Sequence, residues 1–347
     1  MNSIERVTMA LNHQEPDRVP VYPLINSVSM QTLGIDYEEW SKDVDKCAES
    51  IIRATDEIGV DAICTLIDLS VEAADWGQKV VYSPKNAAHP DMDDRLLKSE
   101  EDYDKVEIIN PRETPRMSEH IELAKKLYEA RGQEKPIIGF VFGPLGVLSM
   151  MRGQEQMFYD MIKCPDKMNQ ALHNITETLK EFAIALIESG CHAIMFDTLY
   201  SSKTILSPKM WDKVEGPLVE ELAQTVRDHG AMVMVHNCGE GLYMKEQIKR
   251  MQPVAFSLDH FPPDCKTMEE MKEKYGDQTT FIGMIEPGWL LAATEDQVRE
   301  ECRNQIDGLA KGGGFILATG CEYPSALNFD MAKLIVEEAQ NYGKYQK

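Results

Sequence analysis

Residues 232–241 read MVMVHNCGEG: four apolar residues give way at once to a histidine, an asparagine, a cysteine and two glycines around a glutamate. A continuous apolar run of this length suits a parallel strand buried on both faces. The polar and glycine residues that end it mark where such a strand leaves its sheet. The same pattern recurs as VPVYPLI (19–25), DAICTLID (61–68), IIGFVFGP (137–144), AIMFDT (193–198), AFSLDH (255–260), FIGMIEP (281–287) and GFILATGC (314–321), which makes eight runs.

The segments between the runs have helical periodicity. In residues 164–190, CPDKMNQALHNITETLKEFAIALIESG, Pro165 stands near a helix start and Gly190 just past its end. Residues 207–230 and 294–313 end in glycine in the same way. Eight strands alternating with helices predict an α/β fold, a (β/α)8 TIM barrel with additional N-terminal helices, as a single domain over 1–347. A doubly wound open sheet is the structural alternative. Residues 1–60 form an N-terminal helical segment, with a helix over 36–60 between the first two strands. Residues 78–118, polar and punctuated by proline, predict an excursion at the barrel mouth after the second strand. It serves as a lid, a partner surface or a plain solvated loop.

Composition narrows the function classes. A net charge of −22 excludes a polyanionic partner such as nucleic acid, whose phosphates need clustered Lys and Arg. The charges in MNSIERVTMALNHQEPDR break any signal-peptide pattern, and PIIGFVFGPLGVLSMM is too short and too rich in glycine and proline to span a bilayer. The expected location is therefore cytoplasmic, without membrane contact. The eight cysteines have no framework spacing, so disulfides are not expected. Cys47, Cys64, Cys164, Cys191, Cys265 and Cys302 are expected to pack in the core.

In a parallel barrel the chemistry gathers at the C-terminal strand ends. Those ends carry Asp68, Gly143-Pro144, Asp197, His236 with Cys238, Asp259-His260, Glu286-Pro287 and Cys321-Glu322. His236 and Cys238 can aim side chains the same way across one residue, and Gly239 and Gly241 let the chain turn behind them. Cys321 leaves the last strand next to a turn. One imidazole and two thiols form a soft N/S set that suits Zn2+, and three protein ligands leave a coordination position open, as in a catalytic site. Asp68, Glu72 and Asp197 are the candidate catalytic carboxylates, with Glu322 beside them. Each would orient a ligating histidine, bind substrate, or simply cap the next helix.

The stretches MFDTLYSSKTILSPKMW, VHNCGEG and GCEYPSALNFDMAKLIVEEAQNYG resemble the uroporphyrinogen decarboxylase superfamily, and the resemblance runs from ERVTMALNHQEPDRVPV to the C-terminal helix. Within it, the H-x-C…C pattern is similar to the zinc-dependent corrinoid methyltransferase branch, the methylcobalamin:coenzyme M methyltransferase-like enzymes. That resemblance implies His236, Cys238 and Cys321 as zinc ligands. The chain departs from the decarboxylases in lacking their R-Q-A-G-R-Y stretch, for which PVYPLINSVSMQ stands here, and in carrying Cys321 where they have a late histidine. Asp68 matches the decarboxylase aspartate that contacts pyrrole nitrogens. GCEYPSALNFD in turn departs from the P-G-C-x-I-x-P-x-T-P-x-E-N of the coenzyme M enzymes.

These features lead to a zinc-dependent methyltransferase that moves a methyl group between a corrinoid (cobalamin) protein and a small-molecule donor or acceptor. Two thiolate ligands lower the net charge of a metal, which keeps a bound sulfur nucleophilic and favours a thiol, while the divergent GCEYPS run leaves room for methoxylated or other methylated compounds. No D-x-H-x-x-G cobalamin signature is found, so the corrinoid is expected on a partner protein that docks at the barrel mouth. The alternatives are a decarboxylase acting on a porphyrinogen-like tetrapyrrole and a non-catalytic corrinoid-binding barrel.

Overall fold

A computed structural model describes residues 1–84 and 87–345. Six of the eight apolar runs become full strands of one parallel sheet, and a seventh contributes two residues. The strands are β1 (Ile63–Cys64), β4 (Ile137–Phe142), β5 (Ala193–Asp197), β6 (Met232–Asn237), β7 (Ala255–Leu258), β8 (Thr280–Ile285) and β9 (Phe315–Thr319), adjacent in that order. Two short strands, β2 (Val80–Val81) and β3 (His89–Pro90), pair antiparallel inside the excursion. The order follows the chain without reversal, which excludes the doubly wound alternative, whose order turns back at a switch point.

The expectation of eight strands needs correction at VPVYPLI. Pro20 and Pro23 have no N–H to give to a ladder, and this run makes only isolated bridges, Val21 with Leu317 and Leu24 with Glu322. It nonetheless touches both edges of the sheet. Tyr22 N donates to Leu317 O at 2.8 Å and Leu317 N to Pro20 O at 2.9 Å, while Asp61 N, just before β1, donates to Val21 O at 2.8 Å. One segment bonded to both edges requires the seven-stranded sheet to curl.

Three other boundaries differ from expectation. The helix expected over 36–60 is two helices, Tyr37–Lys42 and Val44–Ile58, because Asp43 stops the first and caps the second by accepting from Lys46 N at 3.1 Å. The helix expected over 207–230 breaks at Glu215 into Pro208–Val214 and Gly216–Asp228. The excursion at 78–118 runs into the helix Pro115–Arg131, which begins with its proline at the first position, where no N–H is needed. Helix Pro165–Glu188 matches its reading, burying Met168, Leu172, Ile175, Leu179, Phe182 and Leu186 at helical spacing.

Strand parity divides the core in two. Phe140, Met195, Met234, Ala255, Ile282, Ile316 and Ala318 belong to the cluster enclosed by the curl, together with Tyr22 and Leu24. Val141, Phe196, Val235, Phe256, Phe281 and Leu317 face the surrounding helices. No helix among the described residues is long and apolar enough to cross a membrane.

Candidate metal centre

Side chains two residues apart on a strand share a face. Met234 is enclosed, so His236 is enclosed too, at the point where β6 leaves the sheet. The same parity carries Ala255 to Ser257 on β7, with Asp259 just past its end, and Met195 to Asp197 on β5. Register then aligns them: His236 pairs with Asp197 on one side and Ser257 on the other. Beyond β6 the chain turns at once. Asn237 Oδ1 accepts from Gly239 N at 2.9 Å, and Gly241 has a φ of +74°, a conformation glycine adopts without strain.

This turn and the exit of β9 bring His236, Cys238 and Cys321 together, with one potential ligand atom from each lying within 4.8 Å of the other two. His236 is 2% exposed, and its Nδ1 lies 3.0 Å from Ser257 Oγ, which leaves Nε2 as the ring nitrogen for a ligand. All eight cysteines are free thiols. The hydrogen bond from Cys238 holds the Cys321 thiol well below its usual range, against the effect of burial and with further help from His236. The same hydrogen bond, followed by burial, pushes Cys238 up. Of the six cysteines expected in the core, five are buried; Cys164 is half-buried against the core at a helix junction.

The carboxylates divide by what they touch. Asp197 is buried next to the cluster, and burial pushes its pKa up to about 6 against the pull of His236. Asp68 follows β1, and Glu72 reaches the end of β4. Asp68 accepts from Ser70 N at 2.7 Å and sits 3.9 Å from Arg116 Nη2. Glu72 accepts from Phe142 N at 2.9 Å, and burial raises it to about 8. Both are thus occupied in holding backbone and neighbouring side chains. Glu322 accepts from Ser27 N at 2.7 Å, and burial raises it to about 7.

Ser257 is a lone serine inside AFSLDH, which gives no signal beyond its polarity, and no local pattern ties Arg116 to Asp68. Asp259 and Glu286 are legible in the sequence only as strand ends. They flank Gly320, whose N donates to Ile285 O at 2.8 Å. A Cβ built on Gly320 would lie 2.0 Å from Asp259 Oδ1, so only glycine lets the chain pass this close on its way to Cys321.

Comparison with known proteins gives a match to the uroporphyrinogen decarboxylase (URO-D) family over residues 2–342. The methylcobamide:CoM methyltransferase MtbA of Methanosarcina mazei is 23% identical over 342 residues, covering 97% of each chain. The uroporphyrinogen decarboxylase of Cupriavidus metallidurans is 26% identical over 204 residues, 56% of this chain and 53% of its own. Among solved structures, a methyltransferase from Methanosarcina mazei shares the fold, with a TM-score of 0.85 at 20% identity over 99% of each chain.

Proposed function

The chain belongs to the uroporphyrinogen decarboxylase family, and from that premise we propose that it is a zinc-dependent methyltransferase exchanging a methyl group between a corrinoid protein and a small thiol. The observation that carries this reading is the convergence of His236, Cys238 and Cys321 at the end of the curled sheet. Relatives named as methylcobamide:CoM methyltransferases match along 97% of the chain, whereas the decarboxylase match spans 56%. We read the sheet, with residues 19–24 between its edges, as a variant of the eight-membered barrel, in one domain with the excursion 78–118 at its mouth.

The three residues fit zinc. A tetrahedral site with Zn–S bonds of ~2.3 Å separates its sulfurs by about 3.8 Å, and the ligand atoms here lie within 4.8 Å of one another before any ion draws them in. Zinc held by His236, Cys238 and Cys321 would supply an open position at which a thiol loses its proton near neutral pH. The chain's own residues do the rest. Ser257 fixes the imidazole through Nδ1, as outer-shell partners of ligating histidines do. Asp197, enclosed at the end of β5 and in register with His236, is placed to take or return a proton beside the cluster. The enclosed apolar side chains of Phe140, Met195 and Met234 exclude water beneath it.

The decarboxylase reading lacks the arginines of the R-Q-A-G-R-Y stretch, for which PVYPLINSVSMQ stands here. Asp68, the residue that matches the pyrrole-contacting aspartate, is tied to Ser70 N, Ser41 and Arg116. Metal analysis of the purified protein, followed by demethylation of methylcobalamin with a panel of thiols, tests the methyltransferase reading. About one zinc per chain and thiol-dependent loss of the cobalt–methyl absorbance are expected. Methyl transfer by a protein stripped of metal would overturn it.

A further inference from the structure

Beside the cysteine–histidine cluster, at the ends of β7 and β8, lies a cavity of about 370 Å³. Its polar wall is made by Asp259, Glu286 and Glu301, its apolar wall includes Phe261 and Trp289, and no lysine or arginine lines it. The one cationic candidate is His260, whose Nε2 is 3.7 Å from Asp259 Oδ2. Among the described residues Asp259 makes no ion pair with Lys or Arg, its side chain is 11% exposed, and its Oδ1 is buried without a hydrogen-bond partner. Glu301 accepts from the side-chain amide of Gln305 at 2.7 Å.

The cavity adjoins the cluster through the chain itself. Asp259 packs against Gly320, the residue before Cys321, and Glu286 follows Ile285, whose carbonyl accepts from Gly320 N. Carboxylates without a cationic partner repel an anion and attract a cation, and an indole face adds to that attraction. A molecule whose sulfur reaches the cluster therefore meets negative charge and aromatic surface with its other end.

We propose that the thiol substrate of this site is an aminothiol, with an ammonium or methylated ammonium group held by Asp259 and Glu286 against Trp289. The proposal rests on the methyl-transfer reading and names its substrate class. In the transfer the thiol gives its proton to Asp197 and through it to solvent, and its sulfur takes the methyl carbon. The cobalt–carbon bond breaks with its electron pair left on cobalt. An anionic thiol of equal length would bring its charge against the same carboxylates.

Three two-carbon thiols that differ only in the end group separate the possibilities: cysteamine, 2-mercaptoethanol and 2-mercaptoethanesulfonate. Binding to the zinc-loaded protein is measured by calorimetry, and methylation separately with methylcobalamin as donor. Cysteamine should bind roughly tenfold or more tighter than the sulfonate, the size expected of one desolvated cation–aromatic and charge contact. Glu286 is exposed, so E286Q probes the cavity without touching the core, and it should narrow that gap, as should D259N. Equal or tighter binding of the sulfonate overturns the proposal, even if methyl transfer proceeds. Cysteamine preference without methylation of any thiol supports the cavity assignment and defeats the methyltransferase reading. An unchanged preference in both E286Q and D259N also overturns the proposal.

Discussion

Ser257 Oγ lies 3.0 Å from His236 Nδ1, across the register pair that joins β6 to β7. The two strands therefore fix the imidazole before any metal arrives, and the hydroxyl selects which nitrogen is left to bind it. Replacing the serine by alanine removes that restraint and leaves a buried ring nitrogen unsatisfied. Ser257→Ala should weaken zinc binding roughly 10- to 100-fold, read by competition with a chromophoric chelator. Wild-type affinity in the variant would end the orienting role assigned to Ser257.

Cys321 sits beyond the end of β9 and outside the apolar core. Cys321→Ala should lose most of the bound zinc while shifting Tm by less than about 4 °C, the change expected for roughly 1 kcal/mol in a chain of this size or smaller. Atomic absorption and a thermal melt measure the two separately. Full zinc occupancy in the variant would show that the ligand set is different.

Glu72 is buried, and that burial raises its carboxyl from an ordinary 4.5 to about 8. The folded chain therefore keeps a proton that the unfolded chain releases above about pH 4.5. The stability from this group is fully present below that pH and is lost as pH rises through about 8. Glu72→Gln keeps an acceptor for Phe142 N and cannot ionise, so its urea-unfolding free energy should fall less than that of the parent between about pH 5.5 and 8. Parallel profiles for the two proteins would mean that Glu72 is already ionised in the folded state.

Near the excursion's midpoint, Asp91 accepts from the backbone of Asp93 and Asp94, Asp94 pairs with Lys79 and Lys98, and Arg95 donates to Met150 O. Asp93 is exposed and Met92 beside it is 66% exposed. A cognate corrinoid protein should accelerate methyl transfer well beyond free cobalamin at equal concentration. Charge changes among Asp91, Asp93, Asp94 and Arg95 should alter that acceleration. Asp93→Lys tests the surface with least disturbance, since the other three hold the excursion together, and it should leave zinc content unchanged. Equal rates with free and protein-bound cobalamin would remove the docking surface.

Apolar runs announced six strands because both faces of a parallel sheet are covered, so the pattern needs no alternation to be read. VPVYPLI carried the same hydrophobicity, but its prolines kept it from joining the ladder as a strand. His236 and Cys238 stood out because a strand exit next to glycine has little need of packing residues. Cys321 could be paired with them only once the order of strands was assumed. Ser257 and Arg116 were illegible for a different reason: their partners lie on other elements, and single residue types do not encode a register. Asp68 and Glu72 are legible as acids near a strand end, while their bonds to Ser70 N and Phe142 N depend on how the chain folds back.

The hydrogen bond from Tyr22 N to Leu317 O joins residues from opposite ends of the sequence. A contact of such sequence separation costs the most loop entropy and forms late. Cys321 lies four residues beyond Leu317, so the event that shuts the ring also delivers the second thiol to the first. Until that contact forms, His236 and Cys238 stand without the third side chain of their cluster.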